Sequence, residues 1–274
     1  MQRLRNIRAI AKKDLTQLIR YPTWMISLTI WPLIFPMIYI LTGVAMAGSN
    51  GGGFKDFDKL AGTDNFSAFI VVGVMVWMWV NSVMWSFGTS LRDEQTRGTL
   101  ESNWLCPINR FDMLIGGAMV SIVMGFFVVF VSFIEYRLLY GIKFTGNVLE
   151  WIIVFLSLIP GVYGFGSMFA SLVLWAKETG AAVQLVRGII TIFCGISFPI
   201  MIMPQWMQNV ANILPFTFGI SAARKIMIQN LGIVGARDDI LMCLLIGCIY
   251  LAIGRVCFMA VEKKVRDSGS LERF

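Results

Sequence analysis

Five stretches of this chain run without a single charged side chain: 21–54, 65–91, 113–134, 151–176 and 188–223. A sixth, 240–254, ends just before Arg255. A helix that crosses the hydrocarbon core of a bilayer needs about 20 predominantly apolar residues. Runs of this kind leave few other folds open. A soluble domain would carry roughly 25% charged residues, whereas only 14% are charged here and 57% are hydrophobic. The apolar residues are concentrated rather than periodic, so the chain is expected to be an all-α integral membrane protein.

The net charge of +7 does not gather in one patch that would suit nucleic acid. The basic residues flank the apolar runs instead, where the positive-inside rule accounts for them. Cys106, Cys194, Cys243, Cys248 and Cys257 show no CxxC spacing, and four of them lie in apolar segments. They read as small buried hydrophobes rather than as a metal or disulfide framework. No histidine is present, which excludes His-based chemistry, and no constellation of acid, base and nucleophile lies in the spans. The chain is not expected to be an enzyme, and no metal site is expected.

Ala45-Met46-Ala47 resembles a cleavage site, but a signal h-region is about 7–15 residues long and the run from Thr23 to Val44 is longer. It is read as an uncleaved first span. Residues 1–22 form an amphipathic helix with Leu4, Ile7, Ala11, Leu15 and Leu18 at helical spacing. Such a basic helix suits the membrane interface, although a plain positive-inside anchor would look the same. Six spans are expected within residues 23–261, at about 23–46, 65–88, 112–134, 151–176, 183–202 and 239–261. Residues 262–274 form a basic tail. Pro32 and Pro36 should bend the first span, and Gly161, Gly164, Gly166 and Ala170 should allow close helix contact in the fourth. Arg255 reads as a snorkelling or functional charge. Glu135 and Arg137 could pair with each other or with a neighbouring subunit.

The run 188–223 is too long for one crossing, at about 1.5 Å per residue against a core of about 30 Å. Pro199, Pro204 and Pro215 interrupt it. An external re-entrant helix over 204–223 is expected to follow the fifth span, because irregular backbone at membrane depth must be covered by protein or line a cavity. For orientation, Lys and Arg number six in residues 1–22, three in 88–112, two in 177–187 and four in the tail, 15 on one face. The other face holds two in 47–64, two in 135–150 and three in 224–238, seven in all. Both termini are therefore expected in the cytoplasm, with the chain in the cytoplasmic (inner) membrane.

Between the second and third spans lies FGTSLRDEQTRGTLESNWLCPINRFD, which begins with charges and continues with Leu100, Trp104 and Leu105. A solvated loop rarely offers Trp and Leu together, and a docking element for a cytoplasmic partner explains both. Thr96-Arg97-Gly98-Thr99-Leu100-Glu101 with Pro107 resembles the first cytoplasmic loop of ABC-2 type transporter permeases. Ser102-Asn103 is more polar than that family's pattern. FPIMIMPQWM (198–207) and LPFTFGISAAR (214–224) resemble the family's external helix, which ends in an arginine. Leu214 replaces a common Asn there, and Ser221 stands where an acid is frequent.

The resemblance implies a permease subunit of an ATP-driven exporter of a hydrophobic or amphipathic, drug or lipid-like compound. A lipid-linked polysaccharide is the alternative cargo. It also implies a coupling helix at Arg92, Glu94, Arg97, Gly98, Thr99, Leu100, Glu101, Trp104 and Pro107 that docks on a separate ABC ATPase subunit. The N-terminal helix would pack beside it. Pro204, Trp206, Pro215 and Phe216 would form an external gate. A translocation path bordered by spans one, two and five, at an interface with a second permease copy, would involve Met75, Met78, Trp79 and Phe198. No GxxxxGK[ST] phosphate loop occurs, so ATP and Mg are expected on the partner. The partners expected are that ATPase, a second permease and membrane lipid, with no nucleic acid.

Overall fold

A computed structural model describes residues 2–20, 23–47, 57, 61–63, 65–96, 98, 110–176 and 180–267, and among them there are helices and turns but no strand. The helices are α1 (Gln2–Arg20), α2 (Thr23–Ala47), α3 (Phe66–Thr96), α4 (Arg110–Leu139), α5 (Val148–Ala176), α6 (Gly180–Phe193), α7 (Gln205–Ala211), α8 (Pro215–Met227) and α9 (Gly232–Asp267). A 3-10 turn, Ile200–Ile202, lies between α6 and α7.

Four segments are long and apolar enough to cross a membrane: Phe66–Ser86, Gly116–Leu139, Val148–Leu172 and Gly232–Val265. The described helices thus do not give the six spans expected. In α2 the qualifying apolar part, Thr29–Ala45, is shorter. The expected fifth span, 183–202, is not one helix. α6 stops at Phe193 because Gly195 takes the left-handed φ of 67° and Pro199 is extended, with ψ 138°. Proline also disfavours helical geometry for the residue before it.

The expected external helix over 204–223 is likewise two helices. α7 starts after Pro204, and α8 starts at Pro215, where a missing N–H costs nothing. At the other end of the chain, α9 continues past residue 261 to Asp267, and residues 268–274 lie outside the described part.

α3 is the axis of the bundle, packed against α2, α4, α5 and α8, and nearly every side chain from Ala68 to Met84 is buried. The most extensive pairing is α5 with α9, and glycine makes it possible. A Cβ on Gly164 would lie 2.6 Å from the Leu251 backbone nitrogen, and one on Gly247 would lie 2.9 Å from the Gly161 nitrogen. A Cβ on Gly254 would collide with the Gly164 carbonyl. Lipid offers no hydrophobic drive between helices, so close backbone approach of this kind supplies the van der Waals contact that holds them. At the top of the same pair, the Glu150 carboxylate accepts from Asn147 N (2.9 Å) and from Ile233 N (3.3 Å). One acid thereby serves the N-termini of both helices, where the helix dipole favours negative charge.

The prolines of α2 find a partner in α4. Pro36 has no N–H, so the Pro32 carbonyl loses its helical donor. The Tyr136 hydroxyl donates to that oxygen at 2.8 Å, and Tyr140 donates to the Leu33 carbonyl at 2.9 Å. α1 packs on the first half of α4. Its contact stripe differs from the one the sequence suggests, since Leu15 is exposed. The Gly116-Gly117 pair of α4 instead receives Ile10 and Asp14.

Candidate functional site

The end of α8, the turn after α6 and the first part of α3 converge on one side chain. Arg224, near the end of α8, is 8% exposed. Its Nη1 donates to the Gly195 carbonyl and its Nη2 to the Ile196 carbonyl, both at 2.8 Å. Its Nη2 and Nε also donate to the Phe69 carbonyl of α3, at 3.2 and 3.3 Å. The guanidinium lies 3.4 Å from the centre of the Phe69 ring.

Each contact follows from the local sequence. Gly195 ends α6 and frees its last carbonyls, which must find donors where water is excluded. Gly73 lets the guanidinium reach α3, since a Cβ there would sit 2.5 Å from both Arg224 Nη2 and the Ile196 oxygen. Arginine is always charged and offers five donors in a rigid fork. It is thus suited to holding several carbonyl dipoles where no carboxylate is at hand.

Arg224 ties the last turn of α8 to α3 and to the turn after α6. α8 begins deep in the bundle, with Pro215 against Gly161 in the middle of α5. It ends at the 141–147 loop, where Thr145 N donates to Met227 O at 2.8 Å and Thr145 Oγ1 to Ile226 O at 2.9 Å. On the side facing α9, the Ser221 hydroxyl donates to Asp239 Oδ2 at 2.7 Å, and Lys225 Nζ pairs with the same oxygen at 2.9 Å. The acid missing from position 221 is thus supplied from the next helix.

The residues assigned to a gate do not stand together. Pro204 caps α7 and is exposed. Trp206 is 62% exposed and meets only Phe193, the last residue of α6, edge-on at 6.0 Å among the described ring pairs. Pro215 and Phe216 are buried, and the Phe216 ring lies 5.2 Å from that of Phe165 on α5. Phe216 is part of the core.

The residues assigned to a path are also divided. Met75 and Trp79 are fully enclosed within one chain, Trp79 between Phe126 and Phe155 at 6.0 and 5.4 Å. Because α3 is surrounded on all sides, these two present no surface to a path between subunits. Met78 and Phe198 are half-buried.

Arg92 and Glu94 lie in the last turns of α3, which continues past its apolar window to Thr96. Past Gly88, which the helix absorbs, no glycine or proline interrupts that stretch until Gly98, an exposed residue with φ 67°, the conformation that commonly closes a helix. Arg97, Thr99, Leu100, Glu101, Trp104 and Pro107 lie outside the described residues.

Arg137 and Arg255 are exposed, and Glu135 does not pair with Arg137: its Oε2 has no hydrogen-bond partner.

The Arg224 junction was missed as a site. The motif LPFTFGISAAR carried it, and the one available signal was a lone arginine at the end of a 36-residue charge-free run.

The sequence model of a family described as ABC-2 family transporter protein matches residues 52–260. The match covers α3 through most of α9 and begins after α1 and α2. Comparison with curated proteins gives no match.

Proposed function

Because this chain belongs to the ABC-2 transporter family, we propose that it is the permease subunit of an ATP-driven exporter in the cytoplasmic membrane. Its cargo is a hydrophobic or amphipathic compound, moved outward. Membership of the family makes the chain a multi-pass transport component that works with an ABC ATPase and is not itself the ATPase. In the proposed assembly two permeases and two ATPases combine, and ATP and Mg sit on the latter. The 92–110 segment meets the ATPase in the cytoplasm, and the 141–147 loop faces outside.

The observation that carries this reading is the continuity of α3. From Phe69, whose carbonyl is held by Arg224, to Thr96 at the mouth of the coupling segment, it is one unbroken helix. That is about 40 Å at 1.5 Å per residue. A displacement imposed on residues 92–110 by nucleotide binding is delivered along this rod to the hairpin formed by α6, α7 and α8. The hairpin is the part of the chain where backbone breaks leave room for two arrangements, and interfaces of that kind switch rather than deform. Trp206, exposed on it, stays in the proposed gate, whereas Phe216, Met75 and Trp79 serve as core.

The test is affinity purification of the tagged full-length chain from its native membrane. An ABC ATPase should co-elute, and Glu101→Lys should lower transport-linked ATP hydrolysis at unchanged membrane insertion. Recovery without any ATPase, or unaltered hydrolysis in the variant, would overturn the assignment.

A further inference from the structure

The last turns of α4 carry an acid to which the rest of the fold offers no partner. Glu135 is half-buried, and its Oε2 is enclosed without a hydrogen-bond partner. One turn earlier, Ser132 is fully buried, and its Oγ is likewise without a partner. The two atoms do not bond to each other. Arg137 is exposed, and among the described residues no lysine or arginine lies within ion-pair distance of the Glu135 carboxylate. An enclosed oxygen is also out of reach of a neighbouring subunit, the other partner that the sequence allowed.

The oxygens around this acid are almost all acceptors. Ser132, Glu135 and Tyr136 share one side of α4. Tyr140 follows just past the helix end, its ring 5.9 Å from that of Tyr136. Each tyrosine has a single O–H, and both are committed to α2, at the Pro32 and Leu33 carbonyls. Their phenolic oxygens can therefore only accept. The Ser132 hydroxyl stands beside that of Tyr136, and the charge of Glu135 reaches both tyrosines. An ionised carboxylate donates nothing, so the one hydroxyl hydrogen of Ser132 would have to serve the whole group. Enclosing a carboxylate without an opposite charge is costly, above all within a span.

What the group lacks is one positive charge that can meet several oxygens at once. Water would bring two donors but no charge. One carboxylate among neutral oxygens suits a hard alkali ion. A divalent or transition metal would want more anionic or nitrogen ligands, and no cluster of three or more His, Cys, Asp or Glu occurs among the described residues. The complete burial of Ser132 favours a bare ion over an ammonium group carried on a larger molecule.

We propose that Ser132, Glu135, Tyr136 and Tyr140 form a binding site for a small monovalent cation such as sodium. Glu135 is its charged ligand, and the three hydroxyl oxygens are its neutral ones. An ion there joins the acid of α4 to the two tyrosines that hold α2, so its occupancy sets how firmly the bent helix is fastened. The site goes beyond the permease reading and needs no particular cargo.

The experiment uses the purified full-length protein in detergent, with choline chloride exchanged for sodium chloride at constant ionic strength. Thermal unfolding is followed by tryptophan fluorescence. Replacing about 150 mM choline by sodium should raise the midpoint by about 4 °C, as expected of an ion held at some tens of times its dissociation constant. The sodium NMR line should broaden in the presence of the wild type. Glu135→Gln should abolish both effects. Glu135→Asp keeps the charge on a shorter stem and should retain the response with about tenfold weaker binding, and so should Ser132→Ala. The aspartate variant also covers poor recovery of the glutamine one. Arg137→Gln and Lys143→Gln alter exposed charges nearby and should not weaken the response.

No sodium-dependent shift in the wild type would overturn the proposal, and so would a shift that survives Glu135→Gln. Stabilisation by acid in choline, lost in Glu135→Gln and not reproduced by sodium, would show that a proton balances the carboxylate. That result would overturn the cation site.

Discussion

The α5–α9 seam and the Arg224 junction solve the same problem in opposite ways. In the seam, side chains have been removed: Gly164, Gly247 and Gly254 let two helices meet backbone to backbone. At the junction, a long charged side chain of α8 instead ties the α3 backbone to the turn after α6. A glycine seam has one geometry, because any shift loses dispersion contacts on both sides. A guanidinium offers five donors in one plane, so it can hold carbonyls of separate segments at once. In the proposed mechanism the seam stays shut while the junction is re-made, which separates the static frame of the permease from the part that moves with transport.

The seam can be broken most severely. Gly164→Leu would drive a side chain into the Tyr250–Leu251 backbone, which no rotamer avoids. A loss of about 3 kcal/mol is expected, at the upper end for an overpacked site. Size-exclusion chromatography in detergent should show little monodisperse protein. If Gly164→Leu were recovered like the wild type, the seam would not be the frame.

The junction should respond differently to two substitutions. Arg224→Met removes every donor from the Phe69, Gly195 and Ile196 carbonyls. It also relieves the cost of burying a charge. A net loss of about 2 kcal/mol is expected, as for buried acceptors left unpaired. Arg224→Lys keeps the charge but offers a point donor to a site shaped for a fork. It should yield near-normal protein that hydrolyses ATP with its partner yet exports more slowly. Equal losses of assembly and export in both variants would make the junction part of the frame.

Much of the frame is visible in the sequence because lipid enforces it. Charge-free runs leave no alternative to helices, and the glycines of α5 point to close packing. The excess length and three prolines of 188–223 also show that this stretch cannot be one helix. What fails is the facing of individual side chains. Trp206 and Phe216 are both aromatic and sit in the same apolar run, yet one is exposed and the other lies against Phe165. Met75 and Trp79 suggested a wall for substrate, but α3 has neighbours on every side, and hydropathy cannot tell a protein neighbour from lipid. Ser221 finds its acid in Asp239, across a turn and on another helix. A pairing of that sort belongs to tertiary structure alone. The extension of α3 to Thr96 was hidden for a simpler reason: polar residues ended the apolar run, but nothing in Arg92–Gln95 ends a helix.

The smallest effects test whether polar joints elsewhere obey the same rule, and the two tyrosines of α4 provide a matched pair. Each donates to a carbonyl of α2, at 2.8 and 2.9 Å. Only one of those carbonyls lacks another donor. The helical partner of Pro32 O would be the N–H of residue 36, which is a proline, whereas the partner of Leu33 O is the N–H of Met37. Tyr136→Phe therefore leaves an oxygen with nothing to bond to at a site that is fully buried, and should cost about 1.5 kcal/mol. Tyr140→Phe removes a second hydrogen bond from an oxygen that keeps its first, at a more exposed position, and should cost roughly 0.5 kcal/mol. Thermal unfolding in detergent, followed by tryptophan fluorescence, should rank the two in that order. Restoring the donor at residue 36 with Pro36→Ala in the Tyr136→Phe background should recover most of the difference, because the helix then bonds its own carbonyl. Equal effects from the two tyrosines, or no recovery in the double variant, would mean that ring packing rather than the proline gap sets the strength of this joint.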